Sequence, residues 1–432
     1  MSQAVRAVAA LLVSVALMWF ANGLFFSLIG LRMVAEGFDT STAGAITSMY
    51  FAGQFVGALF LGRVIEQVGH VRAFAAFASV VSAASLGHAI IVEPMFWAGL
   101  RFVHGMCVAG ALMVAESWLN GSTANESRGR LLAIYTALVY LSMGSGQQLL
   151  NLYDPSDFVL FSLASILFSL ALIPLILARS ATAGEVAPSR LSLRRLFDIS
   201  PLGLVGSFAA GILTGVLFGM MPIYWAQSGL ATSEIATFMM VAVFGGLVLQ
   251  YPVGKISDLF DRRTVILGTT LASGGVAFLM SLIDDTGGST MLALVAVFGG
   301  LIFSIYPLAV SHANDYIDPS DLVSASAGLV MSGAFGAAIG PIAGAYAMEL
   351  MGPSGLFQFC AGTCLVLGAF ILYRMTARAA PLAEDQGPYA FTPRMTPAGA
   401  ELDPRAEYDD EEVEEEIGLA EEDINGEEAS VA

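Results

Sequence analysis

The chain has 432 residues, 56% hydrophobic and 12% charged, with a formal net charge of −18. Soluble domains carry about a quarter charged residues, so this composition excludes an ordinary soluble enzyme, and it lacks the clustered basic face that a nucleic-acid binder needs. The negative charge is local: residues 381–432 hold 17 Asp and Glu against two Arg, while the first 380 residues carry 19 acidic and 16 basic side chains.

A helix needs about 20 apolar residues to cross the hydrocarbon core of a bilayer. In the first half, stretches of that kind run over 8–30, 43–62, 71–91, 95–117, 130–151 and 157–178. The first follows a single Arg6 and continues through Trp19, Asn22 and Gly30 without a small-residue cleavage site, so it reads as a retained span rather than a signal peptide. Residues 179–200, with Arg179, Glu185, Pro188, Arg190, Arg194, Arg195 and Asp198, form the longest polar connection between spans. The second half supplies 201–225, 235–254, 264–283, 289–311, 323–348 and 355–375, for twelve expected spans in all. From about 379 onward the chain is interrupted by Pro and then dense in acid, from Asp409 to Glu416 and Glu421 to Asp423. Like charges at this density repel and little apolar surface is available to bury, so a disordered tail is expected. A lesser reading lets Val413 and Ile417 give a partner helix one apolar edge.

Lys and Arg favour cytoplasmic loops. With the N-terminus inside, 16 of the 18 fall on the cytoplasmic side, Arg32 falls outside, and Arg101 lies within a span. The outer loops then carry Glu36, Asp39, Glu93, Asp154, Asp157, Asp284 and Asp285. An even number of spans with both termini in the cytoplasm is therefore expected. Cys107, Cys360 and Cys364 sit in apolar runs with no ligand-like pairing to His, which reads as packing. The absence of a Gly-x-x-x-x-Gly-Lys-Ser/Thr loop, a His-Glu-x-x-His pair and a Cys-x-x-Cys pair argues against ATP hydrolysis by this chain, a metal or other cofactor, and enzyme chemistry.

Between two apolar runs, Gly254 to Arg263 reads Gly-Lys-Ile-Ser-Asp-Leu-Phe-Asp-Arg-Arg and packs five charges. Going back 192 positions (254 minus 62) finds Gly62, followed by Glu66, Gly69, His70 and Arg72 in the same setting. Two charged hinges at matching places mark a duplicated membrane protein. A Gly at a helix end lets the backbone reverse, the carboxylate of Glu66 or Asp258 can cap a neighbouring helix, and Arg262 and Arg263 can anchor to headgroups. The plain alternative is that both turns only fix topology.

Other constellations lie within the spans. Arg101-Phe-Val-His104-Gly105 places a guanidinium and an imidazole on nearly one helix face. A charge at that depth is costly unless it faces a cavity or a partner, and His exchanges protons near neutral pH, so the pair suggests proton or substrate coupling. Interfacial anchoring of Arg101 and a satisfied core hydrogen bond for His104 are the competing readings. Gly336-Ala-Ala-Ile-Gly340-Pro341-Ile-Ala-Gly344 permits close helix contact and a bend, and the run Gly144-Ser145-Gly146 lies 192 positions earlier. Glu116-Ser117-Trp118-Leu119-Asn120 and Ser311-His312-Ala313-Asn314 share Ser-x-x-Asn at an offset of 194. Polar and aromatic residues deep in spans, Asn22, Gln54, Gln147, Gln148, Tyr224, Trp225, Gln250 and Tyr306, are cavity candidates, although for any one of them helix-to-helix bonding is the commoner role. Amides, aromatics and one Arg suit an uncharged or monoanionic organic solute.

Taken together, these motifs resemble the major facilitator superfamily, whose signature Gly-x-x-x-Asp-Arg/Lys-x-Gly-Arg/Lys-Arg/Lys is matched by Gly254, Asp258, Arg262 and Arg263, with Asp261 in place of the second Gly. The first copy departs further, at Glu66, Gln67 and His70. Arg101 and His104 resemble the family's Arg-x-x-Gln-Gly, and the Gly340-Pro341 run resembles its antiporter signature but sits in the eleventh span rather than the fifth. Glu116 to Asn120 followed by Arg128-Gly129-Arg130 is similar to the bacterial YcaD-like branch. The resemblance implies an all-α integral membrane protein: twelve transmembrane helices in two pseudo-symmetric six-helix bundles, 1–178 and 201–378, joined by 179–200 and followed by the tail 379–432. It further implies a monomeric, proton-coupled secondary transporter of a small organic solute in the bacterial inner membrane, working by alternating access with export ahead of uptake. Asp258, and Glu66 with it, would latch one half to the other. A receptor or scaffold that keeps the fold and binds a cytoplasmic partner through its acidic tail is the alternative.

Overall fold

The computed structural model describes residues 3–121, 125–177, 193–317 and 321–377, together with Gly387 and Tyr389. The side chains of residues 3–7, 121, 125–128 and 323 are outside that description. Arg179, Glu185, Pro188 and Arg190 of the central connection lie outside it, as does the tail apart from those two residues.

The described residues are helical: α1 (Gln3–Ala35), α2 (Thr40–Val68), α3 (His70–Ile90), α4 (Pro94–Gly121), α5 (Asn125–Gly146), α6 (Val159–Leu170), α7 (Leu172–Leu177), α8 (Leu193–Ile199), α9 (Pro201–Gly219), α10 (Met221–Gln227), α11 (Thr232–Leu259), α12 (Arg262–Ser281), α13 (Ser289–Asn314), α14 (Leu322–Met351) and α15 (Gly355–Ala377). Helices are what a chain this apolar must form in lipid, where each backbone N–H and C=O has to be satisfied within its own segment. Eleven helical segments are long and apolar enough to span a membrane, with α6–α7 and α9–α10 each counting as one. The remaining expected span, 130–151, corresponds to α5 and the 3₁₀ turn Gln147–Asn151 that continues it.

Helix ends follow local chemistry. Asp39 caps α2 by accepting from Thr42 N at 2.7 Å and from the hydroxyls of Ser41 and Thr42. Those bonds, led by Thr42, hold its carboxyl below the usual range. Gly69, at φ +89°, ends α2 and starts α3, a backbone conformation L side chains avoid. Gly62 and Gly254 do not close helices as expected, because both lie inside continuous ones.

Small residues set how closely the helices approach. A Cβ on Gly336 or Gly340 of α14 would strike the α9 carbonyls of Phe208 and Ile212, and one on Gly146 of α5 or Gly23 of α1 would strike the carbonyls of Phe20 and Met143. The α9–α14 and α1–α5 contacts therefore repeat the same close packing in the two halves of the chain. Pro341 lies inside α14, where it removes one backbone donor. Its carbonyl meets Gly44 of α2, so this helix also packs across the halves.

The two halves meet along a seam. At the far end, opposite the charged hinges, Gln227 Nε2 donates to Thr40 Oγ1 at 3.0 Å and Ser41 N donates to Glu349 Oε1 at 3.1 Å. Deeper in, Phe26 stacks on Phe218 at 4.8 Å, and Phe218 lies 5.9 Å from Phe303. Gln250 Nε2 donates to Tyr140 OH at 2.9 Å and to the Phe303 carbonyl at 2.8 Å.

Gly336→Leu should lower the melting temperature in detergent, reflecting a cost of about 1–3 kcal/mol for overpacking against the α9 backbone. Gly362→Leu, at a position whose added Cβ would meet nothing within 4 Å, should leave it unchanged.

Candidate functional site

Arg101 on α4 is 1% exposed. Its guanidinium carbon lies 4.5 Å from the centre of the Tyr50 ring and 5.8 Å from those of Phe25 and Phe26. Nε and Nη1 are buried without a hydrogen-bond partner, and no ion pair among the described residues includes this Arg. Aromatic faces recover only part of the solvation a guanidinium loses on burial. Burial of the guanidinium within the protein does not fit a side chain that reaches out to lipid headgroups. His104, one turn on, stacks on Phe25 at 4.8 Å and meets Phe168 edge-on at 5.3 Å. Neither ring nitrogen has a partner, which contradicts a satisfied core hydrogen bond.

Asn22 Nδ2 and Gln54 Nε2 both donate to Tyr50 OH, at 3.0 and 3.2 Å, while Asn22 Oδ1 is buried and unpaired. Arg101, His104, Asn22, Gln54 and Tyr50 thus form one buried or half-buried cluster beside Phe26, which reaches across the seam to Phe218. Uncommitted donors outnumber acceptors there, an arrangement suited to an anionic oxygen. Tyr50 was not singled out from the sequence. Its only signal there is its place one turn before Gln54.

The other candidates separate. Gln250 belongs to the seam with Tyr140 and Phe303, and Tyr306 lies one turn beyond Phe303 on α13. Gln147 accepts from Ser27 Oγ at 2.6 Å, and Gln148 accepts from Asn151 at 3.0 Å. Tyr224 and Trp225 pack edge-on or tilted against Phe357 and Phe238 within the second half. Gly344 faces Leu356 and Val216, as packing residues do.

At the second hinge, the structure redistributes the roles read from the sequence. Asp261, which stands where the family has Gly, caps α12 by accepting from Arg263 N at 3.0 Å and also receives the Arg263 guanidinium at 2.9 Å. Burial pushes the Asp261 carboxyl up, but the bonds from Arg263 outweigh it and hold the group below its usual range. Arg262 is 1% exposed rather than at a headgroup. Its Nη1 contacts both carboxylate oxygens of Asp315 at 2.6 Å and the Ser311 carbonyl at 2.9 Å, and Nε donates to Ser257 Oγ at 3.1 Å. Asp258 caps no helix: its Oδ1 accepts the N–H of Tyr389 at 2.8 Å and lies 3.6 Å from Arg262 Nη2. Asp315 was missed because it lies 53 residues from Arg262, although it directly follows the Ser311–Asn314 motif.

The first hinge is looser. Glu66 and Arg72 are exposed and enter no ion pair among the described residues. His70 Nε2 lies 3.2 Å from Ser117 Oγ, so position 70 ties α3 to the end of α4 much as Arg262 ties α12 to Ser311 of α13. The offsets are 192 (262 minus 70) and 194 (311 minus 117).

The model of the Major Facilitator Superfamily matches residues 11–243 and again 203–402. The chain belongs to the Major Facilitator Superfamily. Similar relatives include the uncharacterized MFS-type transporter YE1530 of Yersinia enterocolitica, 28% identical over 390 residues covering 89% of this chain and all of that one. They also include the uncharacterized MFS-type transporters YcaD of Salmonella arizonae, 28% identical with 85% and 95% covered, and of Escherichia fergusonii, 27% identical with 89% and 100% covered. The resemblance to YcaD read from Glu116 to Arg130 agrees with these matches. Among solved structures, the nucleoside transporter NupG superposes with a TM-score of 0.68 at 12% identity, covering 88% of this chain and 100% of that one. A bacterial homologue of the human lysosomal transporter Spinster, inward-facing and unoccupied, gives 0.69 at 14% identity, covering 90% and 99%. At these identities the structural likeness establishes the fold. This superfamily member is a multi-pass membrane transporter rather than an enzyme.

Asp315→Ala removes the nearer carboxylate from the buried Arg262, leaving Asp258 3.6 Å away, and should cost up to about 3 kcal/mol, read as a fall in melting temperature. The double replacement Arg262→Met with Asp315→Leu should recover much of that loss.

Proposed function

We propose that this chain is a secondary active transporter that moves a monoanionic organic solute by alternating access, with proton movement as the driving force and export as the favoured direction. The observation that carries the reading is Arg101: a guanidinium 1% exposed, without a carboxylate partner, beside the unpaired Oδ1 of Asn22 and against Tyr50. Buried cations are normally neutralised. A carboxylate-bearing solute supplies that neutralisation when it binds, and its apolar body lies against Phe26, Tyr50 and Phe218. His104, next to Arg101 and bonded to nothing, is the proton-exchanging group.

In this reading the twelve spans form two six-helix bundles, 1–178 and 201–378, joined by 179–200. The chain acts as a monomer in a bacterial inner membrane with both termini cytoplasmic. That orientation puts the hinges, with Arg63, Arg72, Lys255, Arg262 and Arg263, on the side that Lys and Arg favour. The bundles rock about the seam, opening one end while the other closes. The Thr40–Gln227 and Ser41–Glu349 bonds close the far, periplasmic end. Asp258, with Glu66 in the matching place, latches the cytoplasmic end when it closes in turn, and the glycines of α14 let that helix slide on α9.

A panel of organic acids tested by growth of a deletion strain, followed by flux in proteoliposomes with an imposed pH gradient, identifies the substrate. Loss of one charge-assisted pair is worth about 2–3 kcal/mol, so Arg101→Gln should weaken binding of an anionic substrate by about 30- to 150-fold with little effect on a neutral analogue. Equal loss for both would remove the anion reading. His104→Gln should flatten the pH dependence of flux, and Asp258→Asn should lower flux at unchanged expression. A wild-type pH profile in the first, or wild-type flux in the second, would withdraw the corresponding role.

A further inference from the structure

Two residues of the tail are held where the hinge would have to close. The Gly387 carbonyl accepts from Arg262 Nη2 at 2.7 Å, and its N–H donates to Asp315 Oδ1 at 3.2 Å. The Tyr389 N–H donates to Asp258 Oδ1 at 2.8 Å. Three main-chain bonds therefore engage two charged residues of the second hinge, Arg262 and Asp258, and the Asp315 partner of Arg262. The Tyr389 ring lies on Gly254, where any Cβ would collide with it, which gives that mid-helix glycine a reason. Its hydroxyl is fully buried and has no partner. The charged and titratable neighbours of that phenol come from both halves, Tyr140 of α5 on one side and Asp258 and Arg262 on the other. The ten-residue step from Ala377 to Gly387 spans up to about 33 Å, ample for the tail to return from the end of α15 to this seat.

We infer that Gly387 and Tyr389 are an intramolecular ligand of the second hinge: a wedge between Gly254 and the Tyr140 side of the seam that must withdraw before Asp258 can latch the halves together. The seat is built to release. Main-chain bonds to charged groups favour docking, whereas a buried phenol hydroxyl without a partner and the ordering of a tail segment oppose it. The balance leaves seated and released forms close in free energy, as a reversible brake requires. The inference rests on the latching role given to Asp258 above.

The test reads the seat and the rocking separately. Full-length protein with Gly254→Cys and Tyr389→Cys should form an intramolecular disulfide under mild oxidation, because the two sites touch and the native Cys107, Cys360 and Cys364 are buried. In a second protein, spin labels at Arg63→Cys and Lys255→Cys, both exposed, report the separation of the two hinges. Adding Tyr389→Ala to that labelled protein should raise the short-distance population about fivefold, because the ring seated on Gly254 is lost while the main-chain bonds remain. Substrate flux should rise with it, and the 254–389 disulfide should hold flux down until it is reduced. Failure of the disulfide to form, or two distance populations that Tyr389→Ala leaves unmoved, overturns the wedge while alternating access stands. A single distance in every variant overturns the rocking itself, and the wedge with it.

Discussion

A cation taken out of water must find an opposite charge, and this protein meets that constraint in two ways. Arg262 and Arg101 are each 1% exposed. Arg262 is bound to Asp315, Ser311 and Ser257, so its burial is compensated within the protein and fixes α12 against α13. Arg101 lies against aromatic faces, and no ion pair among the described residues includes it. The first is an internal joint. The second has no carboxylate partner among the described residues, which is what the proposed binding of an anionic solute rests on.

The same contrast distinguishes the two copies of the duplicated hinge. In the second, a capped helix, a buried ion pair and a bound tail residue surround Asp258. In the first, Glu66 and Arg72 face solvent and a His70–Ser117 contact ties the turn to α4. The duplication preserved the backbone plan and the offset, while the side chains diverged.

Between the hinge and the sealed far end, the halves touch through rings and small residues rather than through salt bridges. Phe26 on Phe218, Tyr140 against Phe303, and Gly44 against Pro341 can separate and reform without stranding a charge. The single amide that crosses, Gln250 to Tyr140, is neutral and keeps its bond to the Phe303 carbonyl if the seam parts. A contact surface of this kind favours two alternative packings over one locked state.

Some of this was legible without coordinates. Lipid forces each crossing segment to satisfy its own backbone, so the spans appear as apolar runs. Burial of charge is costly enough that Arg101 stands out in the fourth, and a fixed offset exposes the duplication. Helix rotation was not legible, because lipid-facing and protein-facing positions are equally apolar in a membrane helix and leave no periodic signal. The tertiary structure alone therefore decided that Arg262 meets Asp315, that Asp261 rather than Asp258 caps α12, that Tyr50 gathers Asn22 and Gln54, and that Gly254 receives Tyr389. Apart from the Asp261 cap and the Gln54–Tyr50 bond, which are local, each is a contact between segments far apart in the chain, fixed by which faces the packing brings together.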